Sequence, residues 1–182
     1  MFLNKASNNL NKLLTLIDDL MNVTKIQQGQ ISLNKTRFKL AELFNDCCEH
    51  IRLEDTHEFI ISGDKELMIC ADYGRIDQIM VNLINNAVKY APWSNKIELN
   101  IHHNDTSVKV SVNDFGVGIS AEKLPYLFDR YYRVDASGLQ YSGLGLGLYI
   151  CSEIIKKHGG EIGAESIVGA GSKFWFTIPI KG

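Results

Sequence analysis

Residues 73–90 read Y-G-R-I-D-Q-I-M-V-N-L-I-N-N-A-V-K-Y, and this segment is the first informative element of the sequence. Its apolar residues recur three and four positions apart, which predicts an α-helix with one buried face. Asp72 precedes the segment and belongs to a residue type that caps helix N-termini. The side chains predicted to face the core are Ile76, Ile79, Met80, Leu83, Ile84 and Ala87.

The opposite face of this predicted helix is rich in amides. Gln78, Asn82, Asn85, Asn86 and Lys89 fall within an arc of about 100°. Asparagine is a mediocre helix former, so three of them on one face need a reason. A solvated polar surface is one interpretation. The other is a site for a magnesium–phosphate group, because magnesium that is already bound to phosphates needs few protein ligands.

The segments on both sides of this helix predict a sheet. Before it we expect a short strand within 31–38, a helix over 40–53, and a strand pair, 59–62 and 67–71, around a turn at Gly63-Asp64. After it we expect a hairpin of 97–103 with 108–112, helices over 121–132 and 146–158, and final strands 161–166 and 172–180. Such an order without regular βαβ alternation indicates an α+β fold, with one mixed or antiparallel sheet covered by helices on one face.

The segment D-F-G-V-G (114–118) directly follows a predicted strand. An aspartate at a strand end before two glycines places a carboxylate where a ligand can approach the backbone closely. Such a carboxylate can accept a hydrogen bond from an exocyclic amine. The alternative is an ordinary turn that Asp114 stabilises through its own backbone.

The segment G-L-G-L-G-L (143–148) leads into the helix predicted over 146–158. Exposed backbone N–H groups and the helix dipole favour an anion there, and phosphate is the anion that we expect. The segment is not a Walker A loop, because no Gly-Lys-Ser/Thr follows. It is not a Rossmann fingerprint either, since the spacing differs and no βαβ unit surrounds it. A tight packing loop is the alternative.

The segment F-D-R-Y-Y-R (128–133) precedes residues 134–142, whose polar and Gly/Ser-bearing sequence predicts a mobile lid. The aromatic residues would anchor the base of that lid. Arg130 or Arg133 would reach a terminal phosphate, where a guanidinium stabilises developing charge. An ordinary amphipathic helix end is the alternative.

The first 28 residues predict a long helix, because Pro and Gly are absent from 3–28 and Gly29 follows in the C′ position. Its apolar residues occupy two heptad positions and widen into a seam of about three heptads. The residues of this seam are Leu3, Ala6, Leu10, Leu13, Leu14, Ile17, Leu20 and Met21. A helix folded back on its own domain is one interpretation, and we favour a protruding dimerisation helix.

The composition excludes several classes of protein. The chain has 182 residues, a formal net charge of −2 and 45% hydrophobic residues, which indicates a globular domain and not a general nucleic-acid binder. No apolar run approaches the ~20 residues of a membrane span, and no signal peptide is visible. The four cysteines have no CxxC spacing, which argues against zinc and disulfides and favours a cytoplasmic setting.

The order of these segments resembles the N, G1, F, G2 and final glycine boxes of bacterial sensor histidine kinases, within the GHKL ATPases. The matching segments are N-L-I-N-N-A-V-K-Y-A-P (82–92), D-F-G-V-G (114–118), F-D-R-Y-Y-R (128–133), G-L-G-L-G-L (143–148) and G-A-G-S (169–172). The N-terminal helix is similar to the second helix of that family's dimerisation and phosphotransfer hairpin. We therefore expect residues 1–29 to be a remnant of the hairpin and residues 30–182 to be the catalytic ATP-binding domain.

The resemblance implies a two-layer α/β sandwich of the Bergerat type that binds ATP and Mg²⁺. It implies that Asn86 ligates the metal, with Asn82 nearby, and that Lys89 contacts phosphate. Tyr90 would line the nucleotide pocket, and Arg133 would stabilise charge on the γ-phosphate. Asp114 would bind the adenine amine, and the remaining residues implied at the nucleotide are Gly116, Gly118, Gly143, Leu144, Gly145, Leu146, Gly147 and Leu148.

The resemblance also implies a reaction. In hydrolytic relatives a glutamate one turn before the magnesium asparagine activates water, but Asn82 cannot act as a base. This favours transfer of the γ-phosphate to a neutral imidazole, for relay to a response regulator aspartate. No histidine precedes the helix at 1–28, so we expect a fragment that lacks the acceptor histidine, binds ATP–Mg and does not label itself. The five histidines are His50, His57, His102, His103 and His158.

Two other functions fit parts of the sequence. A degenerate kinase would bind nucleotide and signal through its helix without phosphotransfer. A serine-directed kinase of the anti-sigma type would share the nucleotide boxes, but the apolar N-terminal helix speaks against it. The full-length protein is expected to form a homodimer through that helix. Whether the parent protein is also anchored in the inner membrane does not follow from these residues.

Overall fold

The computed structural model describes residues 2–52, 57–134 and 144–180. Within these ranges the elements follow in chain order: α1 (Phe2–Gln27), β1 (Lys35–Lys39), α2 (Leu40–Arg52), β2 (Glu58–Gly63), β3 (Met68–Asp72), α3 (Tyr73–Tyr90), β4 (Lys96–His103), β5 (Ser107–Asp114), a 3-10 turn (Leu124–Tyr126), α4 (Gly147–His158), β6 (Ile162–Ile167) and β7 (Gly171–Pro179).

Five strands form the main sheet in the order β2-β4-β5-β7-β6. The β2–β4 pair is parallel, and the other neighbours are antiparallel. The predicted hairpin of β4 and β5 is confirmed. The Asn104 side-chain oxygen closes its turn by accepting hydrogen bonds from the backbone N–H groups of Thr106 at 2.9 Å and Ser107 at 2.8 Å.

The main sheet is covered by helices on one face. Alternate residues of β5 and β7 point into the core and are buried, namely Val108, Val110, Val112, Phe174, Phe176 and Ile178. Both α3 and α4 pack against these central strands, and α2 packs against β2 at the edge. The result is a two-layer α/β sandwich, which confirms the predicted α+β class.

Helix α3 has the bounds that the sequence predicts. The Asp72 carboxylate accepts a hydrogen bond from the Arg75 backbone N–H at 3.1 Å and so caps the helix. All six apolar side chains predicted to face the core are buried. Because this face is fixed against the sheet, the amide face of the same helix is directed away from it.

The predicted pairing of the strands before α3 is wrong. Gly63 ends β2 with φ of +100°, so the chain does turn there, but β2 and β3 are not neighbours. β2 pairs with β4, whereas β3 pairs with β1 in a separate two-stranded antiparallel sheet that sets Phe38 opposite Ile69. The strand expected within 31–38 begins only at Lys35.

The helix predicted over 121–132 is also wrong. Only Leu124–Tyr126 form a short 3-10 turn. Pro125 has no N–H to donate to residue 121, so an α-helix begun at Ala121 would lose a hydrogen bond in its interior. The chain instead makes successive i→i+3 turns and reaches Tyr131 with φ of +66°.

Helix α1 contacts the domain along one face of its C-terminal half. Val23 is 1% exposed, and the Arg75 guanidinium donates a hydrogen bond to the Asn22 side-chain oxygen at 3.1 Å. Seam residues on the other face are 47–58% exposed: Leu10, Leu13, Leu14, Ile17, Leu20 and Met21. The C-terminal half of α1 is therefore folded back on its domain and does not protrude as the favoured interpretation expected, while the seam stays exposed. Among the described residues, no helix has the length and apolar character that a membrane crossing needs.

Candidate functional site

A cavity of about 240 Å³ lies between α3, the loop after β5 and the N-terminal end of α4. Twelve of the residues predicted from the sequence line it: Asn82, Asn86, Lys89, Tyr90, Asp114, Gly118, Arg133, Leu144, Gly145, Leu146, Gly147 and Leu148. They come from four separate stretches of the chain. The fold therefore brings nearly all of the predicted site residues together around one cavity.

One predicted residue that the structure describes does not line the cavity. Gly116 lies beside the cavity and allows a close backbone contact. A Cβ atom at this position would come within 2.2 Å of the Tyr90 carbonyl oxygen. Glycine thus lets the loop after β5 rest directly on the end of α3. Gly143 and residues 135–142, which make up most of the predicted lid, lie outside the described residues.

Asp114 is the buried acid of the cavity, with 5% of its surface exposed. Its Oδ1 atom accepts hydrogen bonds from the backbone N–H groups of Gly116 at 2.9 Å and Ser172 at 3.3 Å. Burial raises the pKa of this carboxyl, and the two N–H groups lower it in part. Because both bonds end on Oδ1, Oδ2 is left to accept a hydrogen bond from a ligand.

The amides of α3 meet the first turn of α4. The Asn86 Nδ2 atom donates a hydrogen bond to the Asn82 Oδ1 atom at 3.2 Å. This contact leaves the Asn86 oxygen available to a cation. A Cβ atom on Gly147 would come within 2.2 Å of the Asn82 Nδ2 atom, so glycine lets α4 begin this close to the amide pair without displacing the Asn82 side chain.

The N-terminal end of α4 is open to an anion. Leu146 precedes the helix without a side-chain cap, and the first turn contains no acidic residue. The first amides of a helix have no acceptor within the helix, and its dipole favours negative charge at this end. Because Leu146, Gly147 and Leu148 all line the cavity, these N–H groups are positioned to bind phosphate.

Two cationic side chains also belong to the wall. Lys89 lies with its ammonium 4.8 Å from the centre of the Tyr90 ring. Arg133 lines the cavity, whereas Arg130 does not and instead donates a hydrogen bond to the Tyr131 hydroxyl at 2.7 Å. Of the two arginines considered from the sequence, Arg133 is the one that lines the cavity.

The polar groups of the cavity are spread along α3. The loop after Asp114 rests on Tyr90 of α3. The first residue of α4, Gly147, contacts Asn82 of α3, which lies eight residues before Tyr90. At 1.5 Å per residue these two positions are about 12 Å apart. The cavity thus offers a carboxylate acceptor at one end and amides with a helix N-terminus at the other, which suits a ligand with an amine-bearing ring and an anionic tail.

Several residues of the wall escaped the sequence analysis: Asp19, Val117, Ile119, Leu127, Tyr132, Val134, Ser172 and Phe174. Ser172 is the last residue of the G-A-G-S segment quoted above, so the resemblance could have indicated that it lies at the site. Asp19 had no such signal, because the pattern of α1 describes only the apolar seam. It reaches the cavity because α1 folds back on the domain.

Comparisons with known proteins identify the family. The family described as histidine kinase-, DNA gyrase B-, and HSP90-like ATPase matches residues 71–182. The sensor histidine kinase WalK of Bacillus subtilis is 32% identical over 99% of this chain, which corresponds to 30% of the length of WalK. The chain spans less than a third of the length of the curated relatives that it matches.

Solved structures give the same result. Full-length ShkA in complex with AMPPNP has a TM-score of 0.81 and 26% identity over 98% of this chain and 38% of that one. The catalytic domain of the histidine kinase ThkA has a TM-score of 0.67 and 31% identity over 81% of this chain and 96% of that one. The chain therefore belongs to the histidine kinase-, DNA gyrase B- and HSP90-like ATPases, and it carries the catalytic, ATP-binding domain of the sensor histidine kinases.

Proposed function

We propose that the chain binds ATP with Mg²⁺ in this cavity and transfers the γ-phosphate to a histidine on a dimerisation helix, from which it passes to an aspartate of a response regulator. The observation that supports this proposal is the separation of about 12 Å along α3 between the Asp114 loop and the Asn82–Gly147 contact. It matches a molecule with adenine at one end and phosphates at the other.

The buried carboxylate suits the base. Asp114 uses Oδ1 for two backbone N–H groups, so Oδ2 can accept a hydrogen bond from the exocyclic amine of adenine. The half-exposed Tyr90 ring and Val117 give this end of the cavity apolar surface. A guanine presents a carbonyl oxygen instead of that amine, and a carboxylate in such a buried place repels it. The base end therefore favours adenine.

The amides and the helix terminus suit the phosphates. Asn86 would hold Mg²⁺ through its side-chain oxygen, which its bond to Asn82 leaves available, and oxygen is the ligand that Mg²⁺ prefers. When bound, the metal neutralises phosphate charge. Lys89, Arg133 and the first amides of α4 add positive charge from the chain itself.

The same wall favours transfer over hydrolysis. Asn82 lies one turn before Asn86, and its amide cannot take a proton from water. The γ-phosphate is then held for an external nucleophile, and a neutral histidine is one near physiological pH. The work of the domain is positioning and charge neutralisation. ATP and response regulators are found in the cytoplasm, so we place the domain there.

Titration with ATP and Mg²⁺ tests the binding residues. We expect Asp114→Asn and Asn86→Ala each to raise the Kd about tenfold or more, because each removes a hydrogen bond or ligand to a charged or buried partner. Asp105→Asn and Asn85→Ala are the matched controls, since both side chains are exposed and outside the cavity. Unchanged affinity in both test variants would contradict the assignment of the site.

Labelling with γ-labelled ATP tests the transfer. We expect an acceptor hairpin, supplied as a separate fragment, to become labelled on histidine while this chain stays unlabelled. Asn86→Ala should abolish the label, and Asn85→Ala should keep it. Efficient acid-labile labelling of the chain itself, or binding without any transfer, would contradict the proposed reaction.

A further inference from the structure

One wall of the cavity comes from outside the predicted catalytic domain. Asp19 lies on α1 and is half-buried at the cavity. It shares one helix face with Asn22, Val23 and Ile26, at the i, i+3, i+4 and i+7 spacing of a contact surface. Val23 is buried, Ile26 packs against the core, and Asn22 accepts the hydrogen bond from Arg75. These contacts hold Asp19 at the cavity.

Asp19 lies on a helix that packs against α4, whose N-terminal end lines the same cavity. Cys151 lies one turn after Gly147 on α4. Burial is the main reason why the pKa of its thiol is raised to about 12, and the negative charge of Asp19 adds to the same shift. Asp19 also lines the same cavity as Asn82 and Gly147, and α1 packs against α4. The cationic side chains of the wall, Lys89 and Arg133, belong to other segments.

We propose that Asp19, delivered by the docked α1, makes the cavity discriminate between metal-loaded and metal-free nucleotide. The inference rests on the proposed function, because it assumes that phosphates lie at this end. A carboxylate in a partly desolvated wall repels a free triphosphate more strongly than it would in water. A bivalent cation on the phosphates offsets that repulsion, so the penalty falls mainly on nucleotide without metal.

The coupling is reciprocal. If docking of α1 weakens the binding of metal-free nucleotide, then metal-free nucleotide must weaken the docking of α1 by the same factor. Metal-loaded nucleotide leaves the helix in place. The position of α1 on the domain thus depends on what the cavity holds.

The experiment measures the Kd of ATP with Mg²⁺ and with EDTA for the whole chain, for Asp19→Asn and for Asp18→Asn. Asp18 is the matched control, because it is the adjacent carboxylate on the same helix but is exposed and outside the cavity. We expect Asp19→Asn to lower the Kd without metal about tenfold and to change the Kd with metal less than twofold. Asp18→Asn should change both values less than twofold.

A second variant separates charge from local distortion. Asn22→Ala removes the hydrogen bond to Arg75 and weakens docking, so it should relieve the same penalty in part, and combination with Asp19→Asn should add little. Equal effects of Asp18→Asn and Asp19→Asn, or no effect of Asp19→Asn, would overturn the inference while leaving the proposed function intact. A wild-type chain that binds ATP in neither condition would overturn both.

Discussion

His158 links the two helices of the candidate site through a single imidazole. Its Nδ1 atom donates a hydrogen bond to the Ile154 carbonyl at 2.9 Å, and its Nε2 atom accepts one from the Asp72 backbone N–H at 3.1 Å. Asp72 in turn caps α3. This arrangement needs the neutral ring, because a protonated imidazole has no acceptor atom.

His158 predicts a loss of stability in weak acid. Burial lowers its pKa in the folded state; Lys35 acts in the same direction, while the Ile154 carbonyl and Asp72 oppose it. The unfolded chain therefore binds the proton first, and the free energy of unfolding falls as pH drops below about 6.5.

We expect this loss of unfolding free energy to be smaller in His158→Gln, and urea denaturation at pH 7.5 and 5.5 measures it. His102→Gln, at an exposed position, should keep the full loss; equal losses in wild type and His158→Gln would contradict the prediction.

At this scale the sequence predicts what is local. The amides of α3 and Asp114 stand in short patterns whose spacing fixes their direction, so their presence in one cavity follows from the helix period and the strand end. Asp19 and Phe174 reach the same cavity only through packing between distant elements. No spacing within α1 or β7 carries that information.

The junction of α3 and α4 gives a prediction for one glycine. Gly147→Ala would push a Cβ atom into the Asn82 amide, which must move and lose its bond to Asn86. We expect the affinity for ATP with Mg²⁺ to fall about tenfold, with a loss of unfolding free energy of about 1 kcal/mol. Isothermal titration and urea denaturation measure the two effects.

Gly74 in the first turn of α3 is the matched control. A Cβ atom there would come no closer than 3.8 Å to the Asp72 side chain. Gly74→Ala should therefore keep the affinity and stabilise the domain by up to about 0.5 kcal/mol. If both alanine variants bound nucleotide equally well, the close contact of α4 with Asn82 would have no role in binding.

At the scale of elements, the sequence predicts helices and hairpins better than distant pairings. The bounds of α3 follow from its cap and period, and the β4–β5 hairpin follows from its turn. The pairing partners of β2 and β3 do not follow from local sequence. Several strands have a similar pattern, and which of them pair depends on the whole sheet. Pro125 was a local signal against the helix over 121–132, and its missing N–H decided that segment.

The exposed seam of α1 predicts the association state of the molecule. The seam and the face that contacts the domain lie on opposite sides of the helix, so both can be covered at once. We expect the chain to form dimers through the seam, and Ile17→Asp to shift them to monomers with a change in unfolding free energy below about 0.5 kcal/mol. Sedimentation equilibrium measures the shift. Lys25→Glu, at an exposed position outside the seam, should leave the dimer intact; an unchanged dimer in Ile17→Asp would contradict the prediction.

The parallel pairing of β2 and β4 requires a long crossover of the chain. β2 ends at Gly63 and β4 begins at Lys96, so residues 64–95, which include all of α3, must cross over before the two strands meet. Closing a segment of this length costs chain entropy before any strand contact offsets it, and such non-local pairing slows folding. We therefore expect the β2–β4 edge, and with it the complete sheet beneath the nucleotide cavity, to form late in the folding reaction.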